Sequence, residues 1–199
     1  MDEHKKNTKY QDILKTAHDL FWKHGIKRVT IQEVCREAKV SKMTFYRFFE
    51  NKVDLAKKVL QQMFDEGLEK YRALMAEDIS FEEKVKRQIM AKFEGTKEIS
   101  SELVKDIYTD KTLGLHDYWE KRRMEMVNLV LEDYADAQKK GWIRKDINLN
   151  FIFYFNGKVA EWIYDPVLKS MYDTDQEAIM EITKIFFYGI FPRSDKNDE

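Results

Sequence analysis

Residues 42–47 combine four polar side chains with different hydrogen-bonding groups. They supply an ammonium, a hydroxyl, a phenol and a guanidinium, from Lys42, Thr44, Tyr46 and Arg47. Such groups donate hydrogen bonds to phosphate oxygens and to the edges of bases in a DNA groove. Phe45 and Phe49 lie four residues apart and form the apolar side of the same segment. The pattern predicts a short helix that packs on its phenylalanines and presents the polar groups to DNA.

The segments before this helix predict the elements that would hold it. An apolar stripe from Tyr10 to Phe21 predicts a first helix that ends at Gly25, a residue suited to a left-handed C-cap. Thr30 and Glu33 have the spacing of a capping box, which opens a second helix. Two short helices joined by a turn of three or four residues are typical of the DNA-binding helix-turn-helix.

Composition and charge agree with a helical protein whose N-terminal part meets a polyanion. The chain of 199 residues has only 7 Gly and 2 Pro, and 36% of its residues are charged. Residues 1–57 carry 13 Lys/Arg against 8 Asp/Glu, whereas the remainder carries an excess of acidic residues. A basic N-terminal part on an acidic body indicates that this part contacts the nucleic acid.

Residues 9–60 resemble the N-terminal domain of tetracycline-repressor (TetR/AcrR) family regulators. The most specific feature is the order Thr-hydrophobic-Tyr-x-aromatic-Phe-x-x-Lys at residues 44–52. A second, shorter similarity is Gly-Trp-Ile-Arg-Lys-Asp at residues 141–146, which resembles a loop that often precedes the family's dimerisation helices.

The resemblance implies roles for particular side chains. Positions that commonly hold operator phosphates in the family are occupied here by Thr30, Thr44, Tyr46 and Lys52. Positions that commonly face bases are occupied by Lys42, Met43, Arg47 and Phe48. Many members have glycine where this chain has Met43, so a base contact here would be made by a flexible thioether.

The predicted fold class is all-α, with about nine helices. We expect a three-helix helix-turn-helix DNA-binding domain at residues 1–57, a helical effector-binding and dimerisation domain at 58–192 and a polar tail at 193–199. The resemblance implies a homodimer that pairs through the last two helices of the body. It also implies a repressor that a small molecule releases from a palindromic operator. Aromatic residues of the body favour an apolar or aromatic effector, and the candidate pocket residues are Tyr108, Trp119 and Trp162.

Several other classes of protein are disfavoured. Cys35 is the only cysteine, so an internal disulfide or a cysteine-based zinc site is excluded. The four histidines have no metal-ligand spacing, and a di-metal helical enzyme would need Glu-x-x-His motifs that the sequence lacks. We therefore expect no catalytic residues, metal or cofactor. No apolar run approaches the roughly 20 residues of a membrane span, and a cytoplasmic protein is expected. Control by a protein partner instead of a small molecule remains an alternative.

Overall fold

The computed structural model describes residues 3–96, 99–108, 111–162, 165–173 and 175–191. Within these ranges the chain is all-helical and has no strand, which confirms the predicted fold class. The helices are α1 (Glu3–His24), α2 (Ile31–Glu37), α3 (Lys42–Tyr46), α4 (Lys52–Ala76), α5 (Phe81–Thr96), α6 (Ser101–Tyr108), α7 (His116–Lys139), α8 (Leu149–Trp162), α9 (Pro166–Lys169) and α10 (Asp175–Ile190). The described ranges thus hold one helix more than the nine expected.

The additional helix is the short α9. The Asp165 carboxylate accepts a hydrogen bond from the backbone N–H of Val167 at 2.7 Å and so caps the new helix. Pro166 occupies its first turn, where the missing N–H removes no helical hydrogen bond. The Asp-Pro pair therefore starts a separate helix at this point.

Local sequence signals fix the helix ends near the N-terminus. The Glu33 backbone N–H donates to Thr30 Oγ1 at 3.1 Å, and Glu33 Oε2 accepts the Thr30 N–H at 3.0 Å. This geometry confirms the predicted capping box. Gly25 has a φ of +77°, which confirms the left-handed residue that ends α1. Ser41 Oγ accepts the Thr44 N–H at 3.1 Å and caps α3.

The chain forms two compact units. Unit 1 consists of Met1–Arg72 and Thr96–Met124, and unit 2 consists of Ala73–Gly95 and Glu125–Glu199. The core of unit 1 is formed by fully buried side chains of α1 to α4, among them Ile13, Ala17, Phe21, Val34, Phe45, Phe49 and Leu55. Burying a large apolar side chain contributes about 1.5–3 kcal/mol, so this core holds α3 firmly against α1 and α4. The functional division of the chain at residue 57 stays a prediction.

Unit 2 has its own core, which includes a buried tyrosine. The Tyr134 ring meets Phe81 edge-on at 5.4 Å between centroids, and burial raises the pKa of its phenol. The Gly141–Asp146 loop is tied to the end of α10, because Arg144 donates to the carbonyl oxygens of Gly189 at 2.6 Å and Ile190 at 3.1 Å. The loop motif therefore positions one helix end within this unit. No helix in the described part of the chain has both the length and the apolar character needed to cross a bilayer.

Candidate nucleic-acid interface

The helix-turn-helix is built from α2, a tight turn and α3. Lys39 lies in the turn with a φ of +53°, a left-handed conformation that reverses the chain within a few residues. Phe45 and Phe49 are 0% and 1% exposed, as their spacing predicts. Met43 and Tyr46 lie on the other side of the segment and are 76% and 57% exposed. The apolar side of α3 is thus packed into unit 1, while its other side faces solvent.

The residues expected at bases and phosphates differ in their exposure. Lys42, Met43, Tyr46 and Arg47 are exposed, and Thr44 is half-buried. Phe48 follows the end of α3 and is also half-buried, with its ring edge-on to Tyr10 at 5.7 Å. Its packing with Tyr10 occupies part of the ring that the family resemblance assigns to bases.

The two threonine hydroxyls have partners within the chain. Thr30 Oγ1 is part of the capping box, where it also donates to Glu33 Oε2 at 3.1 Å. Thr44 Oγ1 lies 3.0 Å from Ser41 Oγ at the start of α3. The Thr30 hydroxyl therefore caps α2 and the Thr44 hydroxyl contacts the N-cap side chain of α3, and their phosphate contacts stay predictions.

Lys52 holds the loop that connects α1 and α2. Its Nζ donates to the carbonyl oxygens of Lys27 and Val29, each at 2.8 Å. Partial burial lowers the pKa of Lys52, while the negative charges of Asp106 and Glu33 act in the opposite direction. A lysine in the first turn of a helix opposes the helix dipole. The two carbonyl oxygens supply an internal reason for its presence, and its phosphate contact stays a prediction.

Asp106 has a structural role that its position in the sequence does not predict. Asp106 is 6% exposed. Among the residues whose exposure the structure describes, no other polar or charged residue is buried. Asp106 Oδ2 accepts a hydrogen bond from the backbone N–H of Lys27 at 2.8 Å. Asp106 of α6 therefore binds the same loop that Lys52 of α4 binds. Lys27 and Asp106 are 79 residues apart in the sequence, so no local sequence pattern predicts their contact.

Gly25 allows α6 to approach this closely. A Cβ atom at Gly25 would lie 2.9 Å from Asp106 Oδ2 and 2.9 Å from Glu102 Cβ. Nearby, the Ser100 N–H donates to the Trp22 carbonyl oxygen at 3.0 Å. The end of α1 and the loop after it therefore rest directly on α6, and this contact positions the helix-turn-helix within unit 1.

Two of the three candidate effector residues come together in unit 1. The rings of Tyr108 and Trp119 meet edge-on with centroids 5.7 Å apart, and Phe64 lies 4.9 Å from Trp119. The third candidate, Trp162, belongs to unit 2, where its ring contacts Phe155 at 5.7 Å.

Cys35 is 5% exposed, and burial raises the pKa of its thiol. Both facts agree with an inert core residue.

Over the described ranges, no group of three or more His, Cys, Asp or Glu side chains is arranged to hold a metal ion.

Comparison with known proteins identifies the N-terminal segment. Residues 13–59 match the family model described as bacterial regulatory proteins, tetR family. The chain is 25% identical over 134 residues to an HTH-type transcriptional regulator, YhgD, of Bacillus subtilis, covering 66% of this chain and 70% of that protein.

Similar solved structures extend the likeness to nearly the whole chain. The fatty acid degradation regulator FadR from Bacillus halodurans matches 91% of this chain and 95% of its own, with a TM-score of 0.74 and 19% identity. FadR from Bacillus subtilis in complex with stearoyl-CoA matches 91% of this chain and 99% of its own, with a TM-score of 0.69 and 15% identity. At these identities the likeness shows the fold, and the compared proteins are regulators, not enzymes.

The matched segment contains the whole helix-turn-helix, including the capping box, α3 and the lysine that holds the loop. Together with the all-helical fold shared with the solved regulators, this match defines the class of the protein. The match over residues 13–59 identifies the chain as a DNA-binding transcriptional regulator with an N-terminal segment of the tetR type.

Proposed function

We propose that this regulator is a homodimeric repressor that a small molecule with an apolar body releases from a palindromic operator. The observation that carries the DNA part is the outward face of α3, where Lys42, Met43, Tyr46 and Arg47 are exposed while Phe45 is fully buried. In this proposal Lys42, Met43, Arg47 and Phe48 meet bases, and Thr30, Thr44, Tyr46 and Lys52 meet phosphates. In this proposal the DNA-binding domain is residues 1–57 and the effector-binding and dimerisation domain is 58–192, while the polar tail expected at 193–199 lies outside the described residues. The site of action is the cytoplasm, where bacterial DNA lies.

A homodimer is supported by exposed apolar side chains on the last long helices. Phe151 and Tyr154 of α8 are 55% and 64% exposed, and Ile185 of α10 is 62% exposed. Phe151 and Tyr154 lie three residues apart and therefore share one side of α8, and exposed apolar side chains that lie side by side are typical of protein interfaces. A homodimer would present two copies of α3 to the two halves of a palindrome, whose half-sites lie about one DNA turn, roughly 34 Å, apart.

An apolar effector is supported by the aromatic contact in unit 1 and by the compared proteins. Phe64, Tyr108 and Trp119 come from three different helices, α4, α6 and α7, and the rings of Phe64 and Tyr108 each contact Trp119. One compared regulator was solved with stearoyl-CoA, and another is described as a ketosteroid regulator, KstR2 of Mycobacterium tuberculosis, with a TM-score of 0.62. A fatty acyl thioester is therefore the first effector class to test.

The test measures operator affinity with and without acyl thioesters. The full chain is titrated against labelled DNA from upstream of its own gene, and hexanoyl-, lauroyl- and stearoyl-CoA are added, with free coenzyme A as the control. We expect at least one thioester to weaken binding by about 5- to 150-fold, the usual range of allosteric coupling, while coenzyme A has no effect. Unchanged affinity with all of them would contradict an acyl thioester effector. If a wider set of apolar and aromatic compounds also failed, control by a protein partner would be favoured.

A further inference from the structure

Two buried nitrogen atoms near the start of α7 have no hydrogen-bond partner among the described residues. They are Nδ1 of His116 and Nε1 of Trp119. Residues three apart on a helix lie on the same face, so both atoms belong to one side of α7. Buried polar atoms are almost always paired in folded proteins, because an unpaired one loses its hydration without compensation. The pair indicates a place where a partner molecule is expected.

The surroundings of Trp119 combine two aromatic rings with one cationic group. The indole contacts Phe64 and Tyr108, with centroids 4.9 Å and 5.7 Å away. One turn further along α7, the Arg122 guanidinium lies 5.6 Å above the Phe64 ring and forms an ion pair with Asp65. The rings can pack against the apolar body of a small molecule, and the two nitrogen atoms can bind a polar group at the end of that molecule.

The chemistry of the two nitrogens limits what that group can be. An indole N–H can only donate a hydrogen bond, so the partner of Trp119 must be an acceptor. His116 Nδ1 also donates in one neutral tautomer and when the ring is protonated. A single oxygen with two lone pairs can accept from both, whereas an ammonium group can accept from neither.

We propose that the effector carries a carbonyl or carboxylate oxygen, and that Trp119 Nε1 and His116 Nδ1 hold this oxygen by hydrogen bonds. The proposal rests on the proposed function, since it describes the polar end of the same effector. The apolar part of the effector lies against Phe64 and Tyr108.

Nuclear magnetic resonance of the full-length chain tests this directly, because each of the four Trp side chains gives one indole N–H signal. The Trp119→Phe variant identifies the signal of Trp119. The probes are octanoate, methyl octanoate and octylammonium, which share one apolar chain and differ in the polar end. We expect octanoate or methyl octanoate to shift the Trp119 indole proton downfield, and octylammonium to leave it unchanged. The two acceptor probes also distinguish a carboxylate from a neutral carbonyl.

Affinity measurements on matched variants supply a second readout. Loss of one hydrogen bond corresponds to about a tenfold weaker affinity for the acceptor probe, which we expect for Trp119→Phe. His116→Phe keeps a ring at the position and should also weaken binding. Trp142→Phe is the control, because Trp142 belongs to unit 2 and is 48% exposed. It should bind the probe like the parent.

Three results would overturn the inference. They are an unmoved Trp119 signal while octanoate binds, equal binding of octylammonium at Trp119, and no binding of any of the three probes. Operator release is measured separately, so the two proposals can fail independently. Probe binding through Trp119 without release would count against the proposed function. Release by an effector that Trp119→Phe leaves unaffected would count against this inference alone.

Discussion

Replacement of Gly25 by alanine tests the contact between the end of α1 and α6. Gly25 has a φ of +77°, and left-handed backbone costs a residue with a Cβ atom about 1–2 kcal/mol. The new Cβ would also lie 2.9 Å from both Asp106 Oδ2 and Glu102 Cβ, and 3.2 Å from the Glu102 carbonyl carbon. Crowding of a packed site costs about 1–3 kcal/mol more. We therefore expect Gly25→Ala to lower the free energy of unfolding by about 2–5 kcal/mol, the sum of the two terms.

Gly141 provides a matched control for the backbone term. Its φ is also +77°, but no described atom beyond its chain neighbours lies within 4 Å of the Cβ that alanine would add. Gly141→Ala should therefore cost only the conformational term, about 1–2 kcal/mol. Urea unfolding of the parent and both variants, with the slope fitted in each case, gives the comparison. Equal losses of unfolding free energy in the two variants would refute the close packing of this loop against α6.

The same substitution should affect DNA binding. The loop that follows Gly25 is held by Asp106 and Lys52 and leads directly into the N-cap of α2. Displacement of this loop moves α2 and α3 together, so operator affinity should fall more in Gly25→Ala than in Gly141→Ala. Operator affinity is measured without urea, at a temperature at which both variants remain folded.

Three further outcomes follow from described contacts. Tyr46→Phe should weaken binding to operator and random DNA alike, whereas Arg47→Ala should relax sequence preference by about 1–3 kcal/mol at one position, both measured by fluorescence anisotropy. Hydrogen bonds from the N-cap threonine lower the pKa of Glu33. The ionised carboxylate therefore contributes its full stability at pH values above the ordinary carboxyl pKa. That contribution is lost as the pH falls through the lowered pKa, and the stability difference between the parent and Glu33→Gln should shrink in acid unfolding series. Ile185→Glu should convert a dimer to a monomer in light scattering, while Met43→Glu, a change at another exposed apolar residue, should leave the dimer intact.

Features that depend on neighbouring residues could be predicted from the sequence. The Thr30 capping box joins residues three apart, and the burial of Phe45 and Phe49 follows from helical spacing. Each of these features is decided within one or two helical turns, where residue type and spacing determine the outcome.

Features that depend on distant residues could not be predicted. The Lys52 ammonium meets carbonyl oxygens 25 and 23 residues away, and Asp106 meets a backbone N–H 79 residues away. Backbone acceptors and donors carry no residue signature, so neither partner can be identified from its type. Only Gly25 gave a local hint, and it indicated a helix end without indicating what packs against it. The DNA contacts themselves stay predictions, since they require the DNA.

Selection of binding sites from random DNA tests the central claim most directly. The full-length parent and the Lys42→Ala and Arg47→Ala variants are each taken through the same rounds of selection, and the bound DNA is sequenced. We expect the parent to enrich a palindrome whose half-sites lie about one helical turn apart, and each variant to lose preference at particular positions within both half-sites. Absence of any enriched sequence with the parent, or the same preference in all three proteins, would contradict the claim that α3 reads an operator.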